Sequence, residues 1–252
     1  MPVVLDAPAM ERKANQFISA VGMDILADKN PGAPSLAHFA VALTEHEYSE
    51  YLEALLVGDR ARCTAIAQGL LDRGVDARDL YLYLFQRALY EVGSLWEEHK
   101  VSVAVEHLAT AITERLLTLA HSQIFSGPRR QRSVLIACAP GEHHQLGGRM
   151  VADLFEMHGW QGDFLGASLP ASDLVDMITA RKPDMLGLSV SLDCNLPAML
   201  AAVDEITSSH PDLPILVGGQ AFRDGASDAL KPYPNVTWVS SIEQLERTIS
   251  AK

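Results

Sequence analysis

Positive charge is in short supply in this sequence. Its 20 lysines and arginines stand against 32 aspartates and glutamates, a formal net charge of −12 over 252 residues. An extended nucleic-acid footprint needs a basic face, so direct nucleic-acid binding by this chain is not expected. Cysteine is scarce as well. Cys63, Cys138 and Cys194 are odd in number and far apart, which supports neither a disulfide framework nor a cysteine zinc site. A reducing, cytoplasmic setting fits that usage. No apolar run approaches the roughly 20 residues that span a bilayer. The opening "MPVVLDAPAMERKANQ" also lacks the basic-then-apolar layout of a signal peptide. What remains is ordinary globular composition, 48% hydrophobic, with length for one large or two modest domains.

Residues 1–43 form an N-terminal extension of uncertain structure. "ERKANQFISAVGMDILA" has the spacing of an amphipathic helix, and "DKNPGAPS" then breaks it with Pro31, Gly32 and Pro34. From Thr44 to Phe125 the apolar residues recur at helical spacing. Tyr48, Tyr51, Leu52 and Leu55 mark a first helix ending at Gly58. Asp59 can cap a second, closed by Gly74. Asp76 or Asp79 can start a third with Leu80, Leu84, Ala88 and Val92 on one stripe, and a fourth runs over about 101–125. Four such helices with short joints predict a bundle over 44–125. "SGPRRQRS" (126–133) reads as a linker.

Beyond it, over 134–252, the texture changes. "VLIACA", "GDFLGA", "DMLGLSV", "PILVGG" and "VTWVS" are short apolar runs alternating with helical segments near 147–158, 172–181, 196–208, 224–230 and 242–251. Five strand–helix units predict an α/β, doubly wound, five-stranded parallel sheet. Ligands of such sheets bind beyond the carboxyl ends of the strands. The loops at those ends, "GEHHQLGG", "GASLP", "SVSLDCN" and "GGQAF", gather the polar clusters of this half on one edge.

"GEHHQLGG" (141–148) is the most loaded of them. It has neither G-x-G-x-x-G nor G-K-S/T, and a carboxylate beside a phosphate cradle would repel the anion. A histidine behind a carboxylate suits metal ligation instead, with Glu142 accepting the second ring N–H of His144. One histidine is too few to hold a bare zinc ion, but suffices as one axial ligand to a metal whose other positions a macrocycle fills. A merely polar loop at a helix N-terminus is the plain alternative.

Together, Glu142-x-His144-x-x-Gly147, Ser189-x-Ser191 and Gly218-Gly219 resemble the signature of the cobalamin-binding domain family, commonly D-x-H-x-x-G … S-x-L … G-G. Glu142 replaces the commoner aspartate, and Ser191 the usual leucine. The resemblance implies a flavodoxin-like cobalamin-binding domain in which His144 is the lower cobalt ligand. It further implies that the displaced nucleotide tail lies in a slot lined by the serines and the glycine pair. His143 has no role in it.

The preceding bundle resembles the cap over the upper face of cobalamin in methionine synthase, methyltransferase corrinoid proteins and light-sensing regulators. Trp96, nine intervening residues, then Glu106-His107 resembles the W-x9-E-H motif of CarH-type light-dependent regulators. In those the tryptophan and the Glu-His pair line the pocket of a 5′-deoxyadenosyl group. Glu97 stands where that family has a histidine, and their DNA-binding helix-turn-helix has no counterpart in this sequence. The resemblance implies a cobalamin-binding sensor concerned with transcription regulation, more a cofactor-binding module than an enzyme. Adenosylcobalamin is the expected form, ahead of methylcobalamin or hydroxocobalamin, and light the expected input. A protein partner or homo-oligomer would carry the output. The alternative is a corrinoid carrier of a methyltransferase system. An isolated mutase subunit is disfavoured, since no substrate barrel is present.

Overall fold

Thr44 opens the first helix with a reciprocal cap: its hydroxyl accepts the Glu47 N–H, and the Glu47 carboxylate accepts the Thr44 N–H. The computed structural model describes residues 43–222 and 226–251. The N-terminal extension therefore lies outside the described residues, except for Leu43, which is buried.

Four helical runs follow the periodicity of the sequence. α1 spans Glu45–Val57 and stops at Gly58 in the left-handed region. α2 spans Arg60–Asp72 behind the Asp59 cap. α3 runs over 77–97 behind the Asp76 cap, with Leu80–Gln86 wound as π-helix in its middle. α4 spans Val103–Leu116 behind Ser102 and continues through a 3₁₀ turn (Leu117–Ala120) into the short α5, His121–Ile124. Leu80, Leu84, Ala88 and Val92 are all buried, as their spacing predicts.

The second half is a parallel sheet of β1 (Ser133–Cys138), β2 (Gln161–Phe164), β3 (Met185–Ser189), β4 (Ile215–Gly218) and β5 (Val236–Trp238), in the order β2-β1-β3-β4-β5. That is the flavodoxin-like order, whose switch point lies between β1 and β3. Side chains alternate between faces along each strand. Leu135, Ala137, Leu186, Leu188, Ile215 and Val217 pack on one face against α7 (Ala171–Arg181) and α8 (Leu196–Ser209). Val134, Ile136, Met185 and Leu216 pack on the other against α6 (Leu146–Met157) and α9 (Ile242–Ser250).

One element differs from expectation. The helix anticipated near 224–230 is replaced by 3₁₀ turns, Gln220–Phe222 and Ala226–Leu230. Pro232 and Pro234 lie just beyond; each biases the residue before it away from helical backbone, so no regular helix propagates toward β5.

The bundle is docked onto the sheet half rather than tethered to it. Leu146 and Met150 of α6 belong to the bundle's own core, alongside Leu84, Phe85, Ile112 and Leu116. Tyr81 donates to Asp153 at 2.8 Å, and Arg78 grips Glu246 through two hydrogen bonds of 2.6 and 3.0 Å. Even the chain between the halves is strapped down: the Arg130 N–H donates to the Gly159 carbonyl at 2.6 Å.

Candidate functional site

The loops leaving β1 and β3 splay apart at the switch point, and a single buried carboxylate joins them. Glu142 has 0% side-chain exposure. Its Oε2 accepts from the Ser191 N–H (2.8 Å), the Leu192 N–H (3.1 Å) and Asn195 Nδ2 (3.0 Å), all in the β3–α8 loop. Its Oε1 accepts from His144, from the backbone N–H at 2.9 Å and from ring Nδ1 at 2.5 Å. An ionised carboxylate can only accept, so Nδ1 carries a proton and Nε2 of the neutral ring keeps its lone pair. The His144 side chain is 54% exposed. The arrangement presents an oriented nitrogen donor at the mouth of the switch point.

Electrostatics follow the same contacts. Burial by itself pushes the Glu142 carboxyl up, but the hydrogen bonds from His144, Ser191 and Asn195 hold it well below the usual carboxylate range. The hydrogen bond to Glu142 raises the His144 imidazole; burial opposes this, and the charges of Glu142 and Glu106 add to it. Beneath the loop, burial pushes the Cys138 thiol up to about 12, a neutral group in the floor of the site.

The other residues singled out in the sequence fall into two groups. Ser189 and Gly218 are register partners at the ends of β3 and β4, with Ser191 and Gly219 directly beyond them, so all four share the edge that carries His144. Gly147 sits in the first turn of α6 with open space where a Cβ would be. Gly219 is different: at φ +124° its Cβ would lie 1.9 Å from the Val190 carbonyl oxygen. Glycine is required there by the approach of neighbouring backbone, before any slot is considered.

The second group lies on the bundle. Trp96, 44% exposed, is on the last turn of α3. Ser102 caps α4, whose first turn ends at Glu106, with His107 next along the helix. Glu106 is half-buried and its Oε2 lies 2.5 Å from His107 Nδ1, while its Oε1 accepts from Thr110 at 3.0 Å. His143 is exposed.

Two contributors escaped the sequence reading. Asn195 anchors Glu142, yet in "SVSLDCN" nothing marks it above its polar neighbours. Gly148 was overshadowed by Gly147: a Cβ on Gly148 would meet the Phe164 ring at 2.9 Å, so it is the glycine that lets α6 lie close to the sheet. The G-G pair itself was the available signal. Among the described residues no three His, Cys, Asp or Glu side chains gather to hold a bare ion. A metal taken by His144 must bring its remaining ligands with it.

The B12 binding domain family matches residues 132–244, and a second B12 binding domain family matches residues 48–120. The HTH-type transcriptional repressor CarH of Myxococcus xanthus is 32% identical over 137 residues, 54% of this chain and 45% of that protein. The repressor CarA of the same organism is 32% identical over 127 residues, 50% of this chain and 43% of that one. The chain thus spans less than half the length of the curated relatives it matches. In fold, the chain is similar to the Methanosarcina barkeri monomethylamine corrinoid protein, with a TM-score of 0.70 at 13% identity, covering 83% of this chain and 100% of that one. Among the described residues no helix is long and apolar enough to cross a membrane.

Proposed function

We propose, from the premise that this chain is a cobalamin-binding protein with a CarH-like helical cap, that it senses light through adenosylcobalamin and passes the signal to a partner or to a second copy of itself. The observation that carries this reading is the pairing of the two groups of residues: His144 with Glu142 on the sheet edge, Trp96 with Glu106-His107 on the bundle.

The residues suit the cofactor. His144 offers a free Nε2 as lower ligand, with Glu142 setting the tautomer and strengthening the donor. Open space at Gly147 leaves room for a macrocycle beside the loop. Ser189, Ser191, Gly218 and Gly219 provide small side chains where the nucleotide tail would pass. When bound, an alkylcobalamin supplies a cobalt–carbon bond that absorbs visible light and breaks. Trp96 would cover the upper substituent, while Glu106 and His107 hydrogen-bond an adenosyl group. α6 begins two residues after His144 and contributes Leu146 and Met150 to the bundle core, so a shift of the bundle is felt directly at the ligand loop.

The relatives are named as transcriptional repressors, which supports a regulatory role. The test is direct. Protein loaded with adenosylcobalamin in the dark is expected to change its visible spectrum and its assembly state under green light. A photostable complex overturns the photoreceptor reading; a methylcobalamin form that a partner enzyme demethylates would instead identify a corrinoid carrier.

A further inference from the structure

The turn that carries Glu142 is held from outside by a residue of a different loop. Ala139, Pro140, Gly141 and Glu142 form a β-turn, closed by the Glu142 N–H on the Ala139 carbonyl at 2.9 Å. Proline at its second position and glycine with φ +81° at its third mark it as type II. The N–H of its central peptide takes no part in the closing hydrogen bond, so the Gly141 N–H needs a partner beyond the turn. Ser168 supplies it: its Oγ accepts from the Gly141 N–H at 3.1 Å, across 27 positions of sequence.

Ser168 adopts a costly conformation to do so. Its φ of +53° lies in the left-handed region, which serine seldom visits. Among the described residues the other positive φ values outside glycine belong to His99 and Lys182. Both close helices, where a left-handed residue is ordinary: His99 follows α3, and Lys182 follows α7 with its N–H on the Ile178 carbonyl. Ser168 closes no helix. It stands in "GASLP", between β2 and α7, and both its flanks are tied to the sheet. The Gly166 carbonyl accepts from the Cys138 N–H at 3.0 Å, and Leu169 packs against the core on the α7 side. Strain of this kind persists only where the surroundings enforce it, and it gathers at functional sites.

The turn is confined on its other side as well. A Cβ on Gly141 would lie 3.2 Å from Asn195 Oδ1, and Asn195 Nδ2 donates to Glu142. Three loops thus close on one peptide: the β1–α6 loop contributes it, the β2–α7 loop holds its N–H, and the β3–α8 loop bounds it. Without the Ser168 contact the Pro140–Gly141 peptide is free to rotate between the type II and type I forms. The next residue is Glu142, whose carboxylate orients His144. We infer, resting on the cobalamin reading, that Ser168 is a positioning residue for the lower cobalt ligand: by fixing the Pro140–Gly141 peptide it holds Glu142, and through Glu142 the His144 Nε2, in the attitude that meets the metal. It acts through the turn rather than as a ligand.

The test compares variants of the full chain without cofactor and after loading with adenosylcobalamin in the dark. Ser168→Gly removes the hydroxyl but also relieves the positive φ, so the cofactor-free protein should melt close to the wild type. Its Gly141 amide should exchange roughly 3–10-fold faster, as expected for the loss of one ordinary hydrogen bond. After loading, its visible spectrum should show a mixture of histidine-bound and histidine-free cobalt, where the wild type shows the histidine-bound form. Its cobalamin affinity should fall by roughly the same 3–10-fold. Ser168→Asn tolerates the left-handed backbone and keeps an acceptor oxygen, so it should recover part of the wild-type spectrum. Lys182→Gly relieves the same strain at the other end of α7 and should leave both the exchange at Gly141 and the spectrum unaltered. A Ser168→Gly protein with wild-type spectrum and affinity overturns the inference and leaves the cobalamin reading standing. So does one that melts many degrees lower, because the hydroxyl would then serve the fold instead of the ligand. A wild-type protein that elutes from gel filtration without cobalamin overturns both.

Discussion

Glu142 divides its two oxygens between two loops: Oε1 faces His144 Nδ1 at 2.5 Å, and Oε2 takes both backbone N–H groups of Ser191 and Leu192. One side chain thus orients the candidate ligand and ties the β1–α6 loop to the β3–α8 loop. A shorter aspartate at this position would reach one set of partners less well. Glu142→Gln keeps the shape but removes the charge that sets the His144 tautomer. Its cobalamin affinity should fall about 10–100-fold, the usual effect of losing a partner behind a metal-bound histidine. Titration followed by visible absorbance measures it; unchanged affinity would show that the pair is structural only.

The glycines of the site separate fold from ligand binding. Gly219→Ala places a Cβ on the Val190 carbonyl at positive φ and should cost on the order of 3 kcal/mol without any cofactor present. Gly147→Ala meets open space inside a helix and should leave the cofactor-free protein as stable or up to about 1 kcal/mol more so. It should nevertheless weaken cobalamin binding. Thermal melts beside binding titrations distinguish the two residues.

Asp153 carries a pH dependence of opposite sign to most carboxylates. Burial raises its pKa, an effect that its hydrogen bond from Tyr81 and the charge of Arg149 only partly offset. A carboxyl whose folded pKa is raised contributes stability below the unfolded value and loses it as pH rises through the folded value. Asp153→Asn keeps an acceptor for Tyr81 without the buried charge. Its Tm should exceed that of the wild type by a few degrees near neutral pH, about 2–4 °C for each kcal/mol, and the gap should close as pH falls toward 4. A gap that widens on acidification would reverse this assignment.

Arg78 joins the bundle to α9 through Glu246, with Glu243 at 3.7 Å. A double-mutant cycle of Arg78→Ala and Glu246→Ala should give a coupling energy of about 1–3 kcal/mol by chemical denaturation. The single variants should also loosen the bundle, seen as faster amide exchange in α3 and α4. Additive singles would mean that this ion pair contributes nothing to holding the halves together.

Much of this was legible in the sequence because it depends on local spacing. Apolar residues at 80, 84, 88 and 92 suit one stripe of a helix, and the short apolar runs from "VLIACA" onward suit buried parallel strands. The E-x-H-x-x-G stretch likewise joined Glu142 to His144 across two residues. What the spacing did not carry was the long-range part. Asn195 reaches Glu142 across 53 positions, and Gly219 is required because Val190 lies against it. The helix expected near 224–230 is a 3₁₀ turn, Ala226–Leu230. The sequence by itself determined which residues form helices and strands and which histidine stands behind a carboxylate, since those follow from neighbours along the chain. The tertiary structure alone decided that α4 runs beside α6, because only packing joins Glu114 to Arg149 and sets Leu146 and Met150 among Ile112 and Leu116.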